Sequence, residues 1–443
     1  MNILVVGGGA REHAICDAVD RSKNVKLFSF MSNLNPGIKK LSQDYYLDKI
    51  TNIEKVVEFA KLNGIDIALI GPEAPLEVGI VNELKNAGIS ACAPTKNAAR
   101  IETDKEWMRN LLKKYKIPGQ LKCKTFKDVE KAKKFIEDLD CEVALKPIGL
   151  TGGKGVKVSG DHFNSVDEAL NYVKEVIENK IGGEAKILIE EKAIGEEFTL
   201  QAFSDGDTIS PLPAVQDHKR LLPNDKGPNT GGMGSYSCDN GLLPFLSKSY
   251  YEEGAAILQK IVESLKKEGC KYVGPIYGQF MLTINGPKII EINARFGDPE
   301  AMNVLPLIET DFIEICNSML NGNLDKIKLK LKKKSTVCKY IVPKGYGVKS
   351  MVGEEIFVDE EKINSKDSIL FYASVNKEGN IVKTTSSRSL AVVGISDSLD
   401  NAEKICEDAL ENIKGDHIFI RHDIGTEKLI KRRVEHMERL RGM

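Results

Sequence analysis

The sequence predicts an α/β and α+β multidomain protein: a parallel doubly wound sheet, then a mixed body with glycine-rich loops, then a small α+β domain. Three observations predict it. Residues 1 to about 100 alternate apolar strand and helix (NILVV, Ala10 to Val19, VKLFSF, IDIALIG, 76 to 87, ISACAP), the pattern of a parallel sheet wrapped by helices. Residues 103 to 325 break that alternation with the loops GLTGGKG and GPNTGGMG. Residues 326 to 443 are strand-rich (TVCKYIVP, EIFVD, ILFYASV, SLAVVGIS, DHIFIRHDI) and enclose the helix DNAEKICEDALENI.

Composition excludes several classes. A chain of 443 residues, 42% hydrophobic and 29% charged, is long enough for several packed domains and is not disordered. Lys plus Arg (63) balances Asp plus Glu (64), so nothing favours nucleic acid or an anionic membrane, and any anion site must be local. Nine cysteines without a C-x-x-C or Cys/His cluster argue against zinc and a disulfide framework and fit a reducing cytoplasm. Met1 runs straight into a strand and no apolar run reaches a membrane span, so neither a signal peptide nor a membrane anchor is expected. A monomer or a small homo-oligomer both remain compatible.

In chain order, the first candidate is Gly7-Gly8-Gly9-Ala10-Arg11-Glu12, a glycine loop that opens a helix after the first strand. Bare backbone N–H groups at a helix start suit a phosphate. A dinucleotide fits less well, because Glu12 stands where G-x-G-x-x-G needs its third glycine and Met31-Ser32-Asn33 lacks a ribose acid. Gly71-Pro72-Glu73 follows a later strand, at the same end of the sheet.

The next helix, from Thr103 as N-cap, carries Lys105, and the strand EVALKPIG carries Lys146. Between that strand and VKVS lies Gly149-Leu150-Thr151-Gly152-Gly153-Lys154-Gly155, whose glycines and lysine suit a flap over phosphates; a flexible exposed hairpin is the alternative. It is no P-loop, since it leads into a strand. Glu190 and Glu191 end one strand and Glu196 and Glu197 start the next, placed for adenine or ribose contacts or simply for solvent. The long loop of residues 216 to 237 holds Asp217, His218 and Lys219 and has the polar diversity of a substrate loop. His218 is a weak candidate for a general base.

The strand KIIEINARFGDPE concentrates the chemistry. Alternation places Glu291 and Asn293 on one face and Ile290 and Ile292 in the core. A hairpin turning at Asn285-Gly286-Pro287 brings Gln279 near that face. These oxygen donors beside Arg295 suit a hard cation against phosphate; a half-buried strand with a polar end is the alternative. The tract KIKLKLKKK, residues 326 to 334, is expected to be a basic edge strand. Lys344 and Arg388 are expected to be surface charges.

Taken together, GGGAREHA, GPEAPL, KPIGLTGGKGV, QDHKR, GPNTGGMGSYS, EINARFGDPE and RHDIG resemble the ATP-grasp superfamily, and within it the glycinamide ribonucleotide synthetase family, nearly end to end. The resemblance implies a Rossmann-like N-terminal domain (1–102), a two-lobed ATP-grasp clamp (103–325, small flap lobe about 123–192) and a C-terminal α+β domain (326–443). It implies ATP with Mg2+ or Mn2+, and glycine and 5-phosphoribosylamine as small-molecule substrates joined through glycyl phosphate. Position by position, it implies ATP contacts from Lys105, Lys146, Gly152, Gly153, Lys154, Glu190, Glu191, Ile194 and Glu197, and metal contacts from Gln279, Glu291 and Asn293. It implies a catalytic role for Arg295 and substrate positioning by Gly9, Arg11, Glu12, Glu73, Asp217 and Lys219. The chain departs from the pattern at Lys146-Pro147-Ile148, at Lys192 in the adenine wall and at Gln279, where a carboxylate is common.

Overall fold

The computed structural model describes residues 1–150, 155–378 and 381–442. The N-terminal segment forms a five-stranded parallel sheet in the order Asp44–Leu47, Lys26–Met31, Asn2–Val6, Ile67–Ile70, Ser90–Ala91, the doubly wound arrangement that the alternation predicts. The strand order reverses beside Asn2–Val6, so the loops after Val6 and Ile70 flank one crevice at the carboxyl edge. The helix expected over 76 to 87 is two helices, Glu73–Val78 and Ile80–Asn86, because Gly79 between them is left-handed (φ +95°).

Residues 123 to 191 build a lobe with its own core. Four antiparallel strands, ordered Cys123–Phe126, Ile187–Glu191, Val143–Pro147, Lys157–Val158, are covered by the helices Val129–Glu137 and Val166–Asn179. Their contact is an apolar cluster that includes Phe126, Ile136, Val143, Tyr172 and Ile189. A second antiparallel sheet, ordered Ile209–Pro211, Glu196–Ser204, Gly274–Thr283, Gly286–Asn293, is tied to it where Lys146 donates to the Ile290 carbonyl at 3.1 Å and packs on the amphipathic helix Lys248–Lys267. The chain passes between the lobes at Gly195, which must be glycine: a Cβ there would lie 1.8 Å from the Leu282 carbonyl oxygen.

The helix expected from Thr103 is Lys105–Lys114. Its N-cap is Asp104, whose carboxylate accepts the Trp107 N–H at 2.9 Å, while Thr103 ends the preceding helix. The loop of residues 216 to 237 contains four short strands, and two of them, Gln216–Asp217 and Gly234–Ser237, extend the C-terminal sheet through Ser335–Pro343. The basic tract of residues 326 to 334 is not an edge strand, since it carries a single bridge, Ile308 to Leu331; its lysines are solvated rather than laddered.

The last helix, Glu427–Leu440, returns to the clamp: Arg433 lies 3.3 Å from Glu196, and His436 Nδ1 lies 2.6 Å from it. Nearby, fully buried Arg421 binds Asp423 (2.8 Å), Asp225 (2.7 Å) and the Arg220 carbonyl (3.0 Å). No helix among the described residues is long and apolar enough to cross a membrane. Arg421→Met takes one ion pair from Asp225, which keeps Arg433 at 2.6 Å, and both side-chain bonds from Asp423, and is expected to destabilise the protein by about 1 to 3 kcal/mol, read as a lowered denaturation midpoint.

Candidate active site

Glu291 and Asn293 do share a face: the Asn293 amide donates to Glu291 at 3.2 Å. Gln279 lies directly opposite Glu291 in the neighbouring strand. The alternation fails one residue earlier. Glu291 pairs with Gln279 but Ile289 pairs with Phe280, so Ile290 is an extra, bulged residue. It is half-buried rather than in the core, and Ile289 takes the core position. The bulge turns the Ile290 carbonyl out of the ladder, where Arg109 (3.0 Å) and Lys146 (3.1 Å) donate to it.

Gln279 is fully buried; its amide nitrogen donates to Glu197 at 2.6 Å, and its oxygen has no partner among the described residues. An orphaned amide oxygen beside a carboxylate and a second amide is a donor set that fits a hard divalent ion. Among the described residues no group of three or more His, Cys, Asp or Glu side chains is arranged for a metal. Burial would raise the Glu291 carboxyl, but Lys219, the Asn293 amide, Lys146 and Lys105 outweigh it and hold it below its ordinary value.

The lysines converge from separate elements. Lys105, at the start of its helix, donates to the carbonyls of Ile148 (3.3 Å) and Gly149 (2.8 Å), where the glycine loop begins. Gly152, Gly153 and Lys154 lie outside the described residues. Lys146 is 2.7 Å from Glu190, whose fully buried carboxylate also receives Arg109 at 2.5 and 2.9 Å. The Glu190 side chain is thus taken up internally. Glu191 accepts the Lys122 N–H at 2.9 Å, Ile194 is 55% exposed in the linker, and Glu197 receives Gln279 and Lys219 (3.3 Å). Lys192 is bound to Glu142 at 3.1 Å.

Comparison with known proteins decides the family. Residues 1–102 match the phosphoribosylglycinamide synthetase N domain, 103–301 its ATP-grasp (A) domain and 336–427 its C domain. The chain belongs to the phosphoribosylglycinamide synthetase family. It is 51% identical over 443 residues to the phosphoribosylamine–glycine ligase of Methanothermobacter thermautotrophicus, all of both chains being covered. It is 50% identical over 445 residues to that of Methanocaldococcus jannaschii, again covering all of both. Among solved structures it resembles the Thermotoga maritima phosphoribosylamine–glycine ligase, with TM-score 0.81, 24% identity and coverage of 96% and 100%. It also shares its fold with a Hydrogenobacter thermophilus biotin carboxylase domain, solved with MgADP, ADP and bicarbonate (TM-score 0.74, 15% identity, 100% and 95% covered).

In this chain the loop read as a phosphate cradle has the Gly9 N–H taken by an internal carboxylate. The Glu12 carboxylate accepts the Gly9 N–H at 2.6 Å and Arg11 Nε at 2.6 Å. A Cβ on Gly71 would lie 2.1 Å from Glu12 Oε1, and Gly7, at φ +123°, would meet the same side chain. These glycines therefore make room for Glu12, whose charge already stabilises the helix start. Arg11 donates onward to the Phe296 carbonyl at 3.2 Å.

Arg295 lies between two carboxylates, Glu73 at 3.3 Å and Glu102 at 3.0 Å. Their environments separate them: burial pushes Glu102 up to about 7 despite Arg295, whereas Arg295 and Arg11 hold Glu73 down to about 2 in spite of its burial. Sequence reasoning missed Glu102, which also accepts the Ala294 N–H at 2.6 Å; a glutamate in the last turn of a charged helix gives no local signal. Asp217 and Lys219 join the cleft at 3.9 Å from each other. Burial, against the pull of Lys219, raises Asp217 to about 8, and its Oδ1 has no partner among the described residues.

Arg388 is not a surface charge. It binds Asp298 at 2.8 Å and the carbonyls of Gly231 (2.5 Å) and Gly232 (3.2 Å). Lys344 is exposed as expected. His218 is buried, and burial together with Arg421 and Arg433 lowers it to about 3, too weakly basic to serve as the general base. The unfolded chain takes up a proton at this histidine below about 6.5 while the folded chain does not until about 3. This contribution to stability is full above 6.5 and falls with pH. Replacing His218 by Phe is expected to spare about 2 kcal/mol of the loss between pH 7 and 5, measured by denaturant unfolding at both values.

Proposed function

We propose that this phosphoribosylglycinamide synthetase is an ATP-dependent ligase that joins glycine to 5-phosphoribosylamine, giving glycinamide ribonucleotide, ADP and phosphate in purine biosynthesis. The observation that carries the reading is the full-length identity of about half to curated phosphoribosylamine–glycine ligases. The convergence of Lys105, Lys146, Lys219, Glu291 and Arg295 on one cleft supplies the chemistry. We place the domain boundaries near residues 102 and 325, with the flap lobe at about 123–192, and the enzyme in the cytoplasm as a monomer or small homo-oligomer.

A carboxylate does not condense with an amine in water, because hydroxide is a poor leaving group. The glycine carboxylate oxygen attacks the ATP γ-phosphorus, the bond to ADP breaks, and glycyl phosphate forms. The phosphoribosylamine nitrogen then attacks the glycyl carbonyl carbon, phosphate leaves, and the nitrogen loses a proton. Catalysis of such transfers rests on positioning and charge stabilisation. Lys105 and Lys146 bind ATP phosphates, and the resemblance alone assigns Gly152, Gly153 and Lys154 to the same role. Glu191 and the backbone near Ile194 border the adenine, Glu190 holds Lys146 from within the protein, and Glu197 is placed for the ribose. Glu291, Asn293 and Gln279 Oε1 hold Mg2+, or Mn2+ through the same oxygens, which supplies neutralising charge for the phosphate oxygens.

Arg295, oriented by Glu73 and Glu102, stabilises the transferring phosphoryl group. On the substrate side Arg11, Glu73, Asp217 and Lys219 position phosphoribosylamine and glycine, and the loop of Gly9 and Glu12 shapes their wall.

ADP release is expected only when glycine and 5-phosphoribosylamine are both supplied; release with another acid or amine in their place, and none with this pair, refutes the assignment. Arg295→Ala is expected to slow turnover by about 10² to 10³, by analogy with lost oxyanion donors. Wild-type turnover in that variant removes Arg295 from the mechanism.

A further inference from the structure

Arg109 has no part in the reaction as outlined, yet it ties the flap lobe to the strand that carries Glu291. It sits one helical turn after Lys105, on the same helix face, and is 4% exposed. Its Nε and Nη2 grip both oxygens of Glu190, at the end of the flap-lobe strand Ile187–Glu191. The same Nη2 donates to the carbonyls of Ile289 (2.9 Å) and Ile290 (3.0 Å) in the other lobe. Lys146 repeats the connection from the opposite side, 2.7 Å from Glu190 and 3.1 Å from the Ile290 oxygen.

A closed set results: the guanidinium fixes the Glu190 carboxylate, the carboxylate fixes the Lys146 ammonium, and both cations hold the one carbonyl that the bulge has freed. That carbonyl belongs to the residue immediately before Glu291. A bidentate guanidinium sets the plane of a carboxylate, which a lysine does not.

We propose that Arg109 is a positioning residue for ATP: through Glu190 it fixes the Lys146 ammonium toward the phosphates, and only the two cations together hold the bulged Ile290 carbonyl that precedes Glu291. The proposal rests on the assignment of Lys146 to the ATP phosphates. Burial would raise the Glu190 carboxyl, and Arg109 and Lys146 together hold it below its ordinary range, so the carboxylate stays charged as the arrangement requires. Without the fork, Lys146 loses its fixed counter-charge and swings on four methylenes.

The test uses the full-length enzyme and initial rates of ADP release with ATP, glycine and phosphoribosylamine each varied in turn while the other two are saturating, alongside thermal unfolding. Arg109→Gln is expected to raise KM for ATP about tenfold or more while KM for glycine stays within about twofold, and Arg109→Lys to recover part of the loss. In a Lys146→Ala background Arg109→Gln is expected to add less than about twofold, because both changes remove one linked unit.

An unchanged KM for ATP in folded Arg109→Gln, an equal loss for all three substrates, or effects that multiply with those of Lys146→Ala overturns the proposal. If Arg109→Gln does not fold, Arg109→Lys carries the test: it keeps the buried charge but loses the fork, so a raised KM for ATP at an unchanged melting temperature supports the proposal and an unchanged KM overturns it. Wild-type kinetics in Lys146→Ala alone refutes instead the assignment of Lys146 to the phosphates.

Discussion

A carboxylate removed from water stays ionised only if its surroundings supply the missing solvation, and the cleft is arranged around meeting that demand at Glu291. Lys105 comes from a helix start, Lys146 from a flap-lobe strand and Lys219 from the end of a short strand of the C-terminal sheet; each lowers the Glu291 carboxyl. The lysines themselves are held by acceptors of low charge or by shared ones: carbonyls for Lys105, a carbonyl and the Arg109-bound Glu190 for Lys146, Glu197 and Asp217 for Lys219. Holding cations with peptide oxygens keeps them in place without cancelling their charge. That is the condition for a phosphate to be bound more strongly than the protein's own groups.

The same constraint explains how two lobes with separate cores communicate. The flap lobe closes its own apolar cluster, and named links from it to the rest of the protein are polar: Glu190 to Arg109, Lys146 to Ile290, Lys186 to Glu106 at 2.6 Å, and Asp161 to Arg220 at 2.5 Å. Apolar interfaces lock elements by area, whereas hydrogen bonds and ion pairs lock them by direction and exchange readily with ligand groups. A lobe fastened in this way keeps its internal geometry when the cleft takes up a charged substrate.

How much of this was legible depended on sequence distance. The period-two pattern of IIEIN put Glu291 and Asn293 on one face, because strand geometry alone decides that. The bulge at Ile290 was not legible, since it is fixed by Arg109 and Lys146, far away in the chain. Two strands within residues 216 to 237 were hidden for the same reason: Gly234–Ser237 is a strand because Ser335–Pro343 lies beside it, and Gln216–Asp217 pairs with Gly234–Ser237 in turn. The glycines around Glu12 were legible as glycines but not in purpose. Phosphate and a buried carboxylate ask the same backbone for the same room, and only the side-chain position distinguishes them. Asp104 took the capping role given to Thr103 because both residue types cap and the helix boundary moved by one position.

The C-terminal domain belongs to the frame of the site. Arg295 is held from the N-terminal side by Glu73 and Glu102, but the segment that follows it is held from the other: Asp298 receives Tyr340 at 2.5 Å and Arg388 at 2.8 Å. Arg388 in turn holds the Gly231 and Gly232 carbonyls, and buried Asn303 ties Ser235 to Thr336. The glycine loop 230–234 and the segment 295–300 are therefore fixed against each other through residues of the third domain. An arginine on an irregular segment can be directed only if the backbone on both sides of it is immobile. The chain meets that requirement by placing the segment where residues of its N-terminal and C-terminal parts both reach it.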